Sequence, residues 1–263
     1  MLGKVMKYDL KWICKPLLVF YILGLAFSGA ARLLSNIQNS IVFTVITQIC
    51  YGAAISMMAS IVINSLMRCW VRFIRNIYKD ESYLTHTLPV KNETIFLSKV
   101  LSGIILMLIS FAIIFACIVI GYGTKANFEF IKNALMPIAT MLEMKTGVII
   151  AVIGIILILE FIFMLICGYL GIILGHKSNN KRIIKSVIYG IVLFIAMSIT
   201  TVLLLYITGL FNKNIMNLFN TVEAPNRETM QLLMVGGIIL YLIYIIIYYI
   251  IGNSQIKKGV NVE

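Results

Sequence analysis

Residues 148–174 read VIIAVIGIILILEFIFMLICGYLGIIL, a run with one acid, Glu160, and no basic side chain. A helix rises 1.5 Å per residue, so about 20 apolar residues cross the hydrocarbon core of a bilayer. Five further runs of this kind occupy residues 16–34, 41–67, 95–122, 186–210 and 232–251. None alternates as a barrel strand does, and a backbone in lipid is satisfied only in helices or closed barrels. The expected fold is therefore an all-α integral membrane protein with six transmembrane helices. Pro16, Pro89, Pro137 and Pro225 are read as standing at span entrances or in loops.

Composition agrees. The 263 residues are 61% hydrophobic and 12% charged, against about 25% charged in soluble domains. The net charge of +12 lies beside apolar runs and not in a basic-aromatic pattern, which points to topology and away from nucleic acid. Sixteen of the 22 Lys and Arg residues fall in the N-terminal segment, the second and fourth loops and the C-terminal tail. The other side holds Arg32, Lys125, Lys132, Lys145, Lys213 and Arg227. The positive-inside rule then puts both termini in the cytoplasm, with Trp12 and Trp70 at the cytoplasmic interface. The first apolar run follows four lysines and is read as a span, not a cleaved leader. Cys50, Cys117 and Cys167 lie in apolar runs, and Cys14 and Cys69 in basic segments, so no structural disulfide is expected.

Several segments stand out against this frame. Residues 1–15 read as an interfacial amphipathic helix, with Lys4, Lys7, Lys11 and Lys15 on one stripe and Leu2, Met6, Leu10 and Ile13 on another. It is either a plain anchor or a moving part. Gly52, Ser56 and Ser60 in the second span, and Gly171 and Gly175 in the fourth, have the spacing of close helix contacts. Two outer loops, 123–147 and 211–231, carry apolar residues at helical spacing, interrupted by Pro137 and Pro225. They read as short helices that cap an exit or pack on lipid. Glu160 is the one acid deep in a span; a charge there is costly. It is either a polar point on a translocation path or a protonated carboxyl hydrogen-bonded between helices. Asn64 is a milder case of the same kind.

The cytoplasmic loop at 68–94 is the most informative stretch. Arg68, Arg72, Arg75 and Lys79 follow a helical stripe with Val71, Ile74, Ile77 and Tyr78 beside it. The second span is thus expected to continue as a helix into the cytoplasm. Arg and aromatic side chains suit a docking element, and a solvated basic loop that only sets topology is the alternative. The sequence then runs Asp80-Glu81-Ser82-Tyr83-Leu84-Thr85-His86-Thr87-Leu88-Pro89-Val90-Lys91, with Ser98-Lys99 opening the third span.

This stretch, with the six-span layout and the short tail carrying Lys257-Lys258, resembles the permease subunits of bacterial ABC type-2 exporters. The similarity is to the Gram-positive permeases for bacitracin resistance, lantibiotic immunity and phenol-soluble-modulin export. The resemblance implies one transmembrane permease domain over residues 1–263 in the bacterial plasma membrane. It makes the loop a coupling helix that docks on a separate ATP-binding subunit through Arg72, Arg75, Ile77, Tyr78, Lys79, Asp80, Glu81, Tyr83 and Leu84. It implies a second permease chain, identical or a sister, and an amphipathic peptide as cargo. No G-x-x-x-x-G-K-[ST] phosphate loop occurs in the chain, so ATP and Mg are expected in the partner and none of the chemistry in this chain. No catalytic or metal-binding set is expected: His86 and His176 both read as loop residues, and no H-E-x-x-H or G-x-S-x-G occurs. The rival readings are an ion-coupled secondary transporter and a peptide-immunity protein that works without an ATPase.

Overall fold

The computed structural model describes residues 2–37, 40–79, 81–87, 89–178, 180–221 and 225–259, apart from the side chain of His86. Those residues form nine helices and no strand: α1 (Leu2–Ser35), α2 (Ile41–Ile77), α3 (Ser82–Thr87), α4 (Asn92–Tyr122), α5 (Lys125–Leu142), α6 (Thr146–His176), α7 (Arg182–Phe211), α8 (Lys213–Asn220) and α9 (Arg227–Lys257). Six of them, α1, α2, α4, α6, α7 and α9, are long and apolar enough to cross a membrane. The protein is an all-α, multi-pass membrane protein. The chain divides into two compact units, Met1–Phe130 with Val262–Glu263, and Ile131–Asn261.

In the first unit α1, α2 and α4 pack against one another. The N-terminal segment and the first span are one helix, continuous through Pro16. Lys4, Lys7, Lys11 and Lys15 are exposed on it, while Asp9, Ile13 and Leu17 are buried. Of the apolar stripe of the segment, Ile13 is buried and Leu2, Met6 and Leu10 are half-buried. A polar chain crosses the unit: Tyr21 Oη lies 2.8 Å from Ser110 Oγ, which lies 2.8 Å from Ser65 Oγ. Such hydroxyls join spans because lipid offers them no partner.

In the second unit α6 packs on α7 and α9. The closest approach is at the Gly171/Gly175 pair, as its spacing predicts. A Cβ on Gly171 would lie 2.7 Å from Gly190 N and 2.8 Å from Gly190 Cα, and one on Gly175 would lie 2.5 Å from Ser186 Cα. Gly52 and Ser56, by contrast, are exposed, and a Cβ on Gly52 would meet nothing within 4 Å. Among the described residues, that stripe makes no close helix contact at Gly52. Phe163 of α6 is the centre of an aromatic group with Phe194, Tyr241, Tyr244 and Tyr248, at ring distances of 5.3–6.2 Å.

Two expectations about the outer segments change. Pro137 does not interrupt residues 123–147: α5 runs through it. A proline in a helix forfeits one hydrogen bond, and an exposed helix tolerates that loss where water or lipid headgroups reach the carbonyl. α5 ends instead at Glu143, which takes a left-handed φ of 50° while Met144 N donates to Ala139 O at 3.0 Å, a Schellman-type stop. Leu142 and Ala139 then bury with Ile149 against Met144, Met230 and Met234, and Glu143 pairs with Arg227 at the start of α9. Pro225 behaves as expected. It precedes Asn226, whose Oδ1 accepts from Thr229 N at 3.0 Å and caps α9. α8 folds back on α7 through buried Ile215 and the Tyr206–Phe219 ring pair.

Candidate functional site

The site forms at the end of the first unit where α2 leaves its apolar run. α2 does continue as a helix to Ile77, as the stripe of Arg and apolar residues predicts. Tyr78 closes it, its N–H donating to Ile74 O at 2.9 Å. Its ring is buried beside Phe73, which packs edge-on to Phe96 of α4. Burial pushes the Tyr78 phenol above its ordinary range, so it stays neutral. A turn through Lys79 and Glu81 leads into α3.

Five polar side chains close a ring under that turn. Asp9 of α1 is 1% exposed. Its Oδ1 accepts from Arg72 Nε at 3.0 Å and from Lys99 Nζ at 2.6 Å. Arg72 reaches on with Nη1 to Glu81 Oε2 at 2.5 Å. Asn76 Nδ2 donates to the same Glu81 oxygen at 2.9 Å, and Asn76 Oδ1 accepts from Lys99 Nζ at 2.6 Å. The ring thus runs Asp9, Arg72, Glu81, Asn76, Lys99 and back to Asp9. It takes one residue from α1, two from α2, one from the turn before α3 and one from α4. Two acids balance two bases.

This arrangement fixes α3. Thr85 on its inner face donates to Glu81 O at 2.9 Å and accepts from Asn76 Nδ2 at 3.4 Å. Its outer face presents Tyr83, 77% exposed, and Leu84, 66% exposed. A buried ion pair adds little net stability, because desolvation offsets attraction, yet breaking one is costly. The ring therefore selects one geometry for α1, α2, α3 and α4 and makes departures from it expensive.

The residues expected to dock on a partner divide by position. Arg75, Tyr83 and Leu84 are exposed, and Lys79 and Glu81 are half-buried. Arg72, Ile77 and Tyr78 are buried within the chain, so they hold the loop and do not themselves present a surface. Asp80 lies outside the described residues, as does the side chain of His86. His176 is not a loop residue. It ends α6 fully buried, with Nδ1 2.9 Å from Ile172 O and 3.3 Å from Ser186 Oγ.

The two residues read as a translocation path fall in different units. Asn64 donates to Ser60 O of its own helix at 2.8 Å. Glu160 is half-buried on α6. It makes no hydrogen bond among the described residues, so the reading of a carboxyl bonded between helices is not what the structure has. Residue reading overlooked Asp9, Asn76, Ser65 and Ser110. A signal for Asp9 was present: it sits between Met6 and Ile13 on the apolar stripe, and Lys99 lies in an apolar run, where a base needs an acid.

No protein-family model, curated protein or solved structure matches the chain.

Proposed function

We propose that this chain is the transmembrane subunit of an ATP-driven exporter and that α3 is the element that docks on a separate ATP-binding subunit. The observation that carries the reading is the pairing of an exposed Tyr83–Leu84 face with a buried ionic ring beneath it. A surface Tyr and Leu on a freely moving loop would transmit nothing. The same pair on a helix locked to α1, α2 and α4 passes a displacement directly to three spans. Aromatic and apolar anchors with basic neighbours, here Arg75 and Lys79, are the composition that dominates interface energetics.

The motor, with its ATP and Mg, belongs to the partner, because the chain has no phosphate loop. A second permease chain, identical or a sister, completes the assembly in the bacterial plasma membrane. The cargo we assign is an amphipathic peptide or a similarly lipophilic molecule. Exposed Phe128, Phe130 and Met136 on α5 supply the adaptable apolar surface such a substrate needs.

The test is a pull-down of the tagged chain from native membranes in mild detergent, run beside a Tyr83→Asp/Leu84→Asp variant. A stoichiometric soluble ATPase with the wild type, lost in the variant while the spans still insert, is the expected result. Retained transport by the variant would sink the docking role of α3. Reproducible absence of any ATPase would favour the ion-coupled reading, in which Glu160, half-buried and without a hydrogen bond among the described residues, carries the ion.

A further inference from the structure

Glu160 is the only charged side chain in residues 148–174, 186–210 and 232–251, the three apolar runs of the second unit. A carboxylate at that depth is costly unless a cation meets it. Those runs hold no Lys, Arg or His. Lys145 and Lys177, the bases that flank α6, stand about 20 Å away along its axis. Among the described residues Glu160 forms no hydrogen bond and no ion pair, and it is only half-buried.

Its surroundings are aromatic. Glu160 precedes Phe163 by three residues, so the two side chains share one face of α6. Phe163 meets Tyr241 edge-on at 6.2 Å, Tyr244 at 6.2 Å and Tyr248 at 5.3 Å. Tyr241 precedes Tyr244 by three residues on α9. As the fourth and sixth spans, α6 and α9 run in the same direction. Glu160 and Tyr241 therefore each stand one turn before the Phe163–Tyr244 contact, at one level. The hydroxyls of the group divide. Tyr244 Oη lies 2.7 Å from Thr200 Oγ1, and Tyr248 Oη donates to Leu193 O at 2.9 Å. Tyr241 Oη has no hydrogen bond among the described residues, and its side chain is half-buried. Tyr244 and Tyr248 thus serve packing, while one ring, Tyr241, and one carboxyl, Glu160, are left open at the same depth.

We propose that Glu160 and Tyr241 form a binding site for a lipophilic cation, an ammonium, guanidinium or phosphonium centre carried on an apolar body. The carboxylate supplies the counter-charge, and the ring supplies a negative face of the kind that holds organic cations. Phe163, itself fully buried, fixes the Tyr241 ring from behind. A hard metal ion needs about six oxygen ligands, and this space offers one carboxyl and one hydroxyl. The site deepens the cargo assignment by naming a charge that the cargo carries. It rests on the export reading for that step alone, because binding needs no motor.

The experiment measures binding of tetraphenylphosphonium to the purified chain in neutral detergent by calorimetry. Tetraphenylborate, of the same shape and opposite charge, is the control. The phosphonium is expected to bind one per chain and the borate not. Equal binding of both would mean apolar attraction alone and overturn the site. Glu160→Gln is expected to weaken the phosphonium at least tenfold, and Glu143→Gln, at the exposed end of α5, to leave it unchanged. Unchanged affinity in Glu160→Gln overturns the proposal. Tyr241→Leu is expected to weaken binding about threefold or more, and Tyr241→Phe, which keeps the ring, to hold most of it. Should Glu160→Gln fail to fold, this second pair decides: equal affinity in both overturns the site. Competition then separates two sources of the cation. Displacement by an amphipathic peptide with one lysine, and not by its uncharged counterpart, supports the site with a peptide as its ligand. Displacement by neither supports it with a small cation, and equal displacement by both overturns it. Binding without a co-purifying ATPase would leave the site standing and remove the export reading. An ATPase without binding would do the reverse.

Discussion

The two units of the chain solve one problem, holding three long apolar helices together, by different physics. The first spends charge: Asp9, Arg72, Glu81, Asn76 and Lys99 close a polar ring at one end, and Tyr21, Ser65 and Ser110 add hydroxyl links further along. The second spends shape: α6 and α7 approach at Gly171 and Gly175, and aromatic rings gather around Phe163. Lipid is as apolar as leucine, so neither unit gains from hydrophobic burial alone. Steric fit holds helices at any position of good complementarity. A charge ring is all-or-none, because each member leaves its partners unpaired if it moves. The unit with the ring is also the one with the short exposed helix α3, which suits an element that must keep its orientation under load.

The largest effect is expected from Asp9→Ala. It leaves Lys99 and Arg72 buried without their shared carboxylate, a loss of about 3–5 kcal/mol. Hydrogen exchange of the amides from residue 72 to residue 99 should rise. Adding Lys99→Met should recover part of the loss, since neighbours in one network are non-additive. Full additivity would mean that the ring is not a unit.

In the second unit the corresponding lesion is steric. Gly171→Ala places a methyl against the Gly190 backbone, and overpacking of this kind costs about 1–3 kcal/mol. Thermal unfolding in detergent would register it. A Gly52→Ala control should do nearly nothing, because that position faces open space. Equal effects at both positions would contradict the close α6–α7 approach.

The smallest effect is expected from Tyr248→Phe. It removes the hydroxyl that donates to Leu193 O at 2.9 Å while leaving the ring against Phe163, a loss of about 1 kcal/mol. A loss comparable to that of Asp9→Ala would show that the second unit also depends on polar links, and the contrast between the units would fail.

The six spans were legible because hydrocarbon thickness imposes a length and forbids charge, and both appear in a linear string. The continuation of α2 to Ile77 was legible from its stripe, and the Gly171/Gly175 contact from its spacing. The identical logic met no close contact at Gly52, because spacing marks a face without saying what lies opposite. Pro137 was misread because an exposed helix end tolerates a lost hydrogen bond that a buried one does not. The nine docking residues span the end of α2 and the start of α3, and no local pattern separates Arg72, Ile77 and Tyr78, which pack inward, from Tyr83 and Leu84, which face outward on α3.

By itself the sequence determined a membrane-spanning all-α chain, its span positions and a basic, aromatic loop after the second span, since each follows from local composition. Only the tertiary structure decided that Asp9 meets Lys99 across 90 positions, that Trp12 lies under Arg68, Arg72 and Arg75, and that α3 stands on a closed ring. Those pairings depend on which helix faces cross and at what height, and that is set by packing between segments whose local signals are silent about one another.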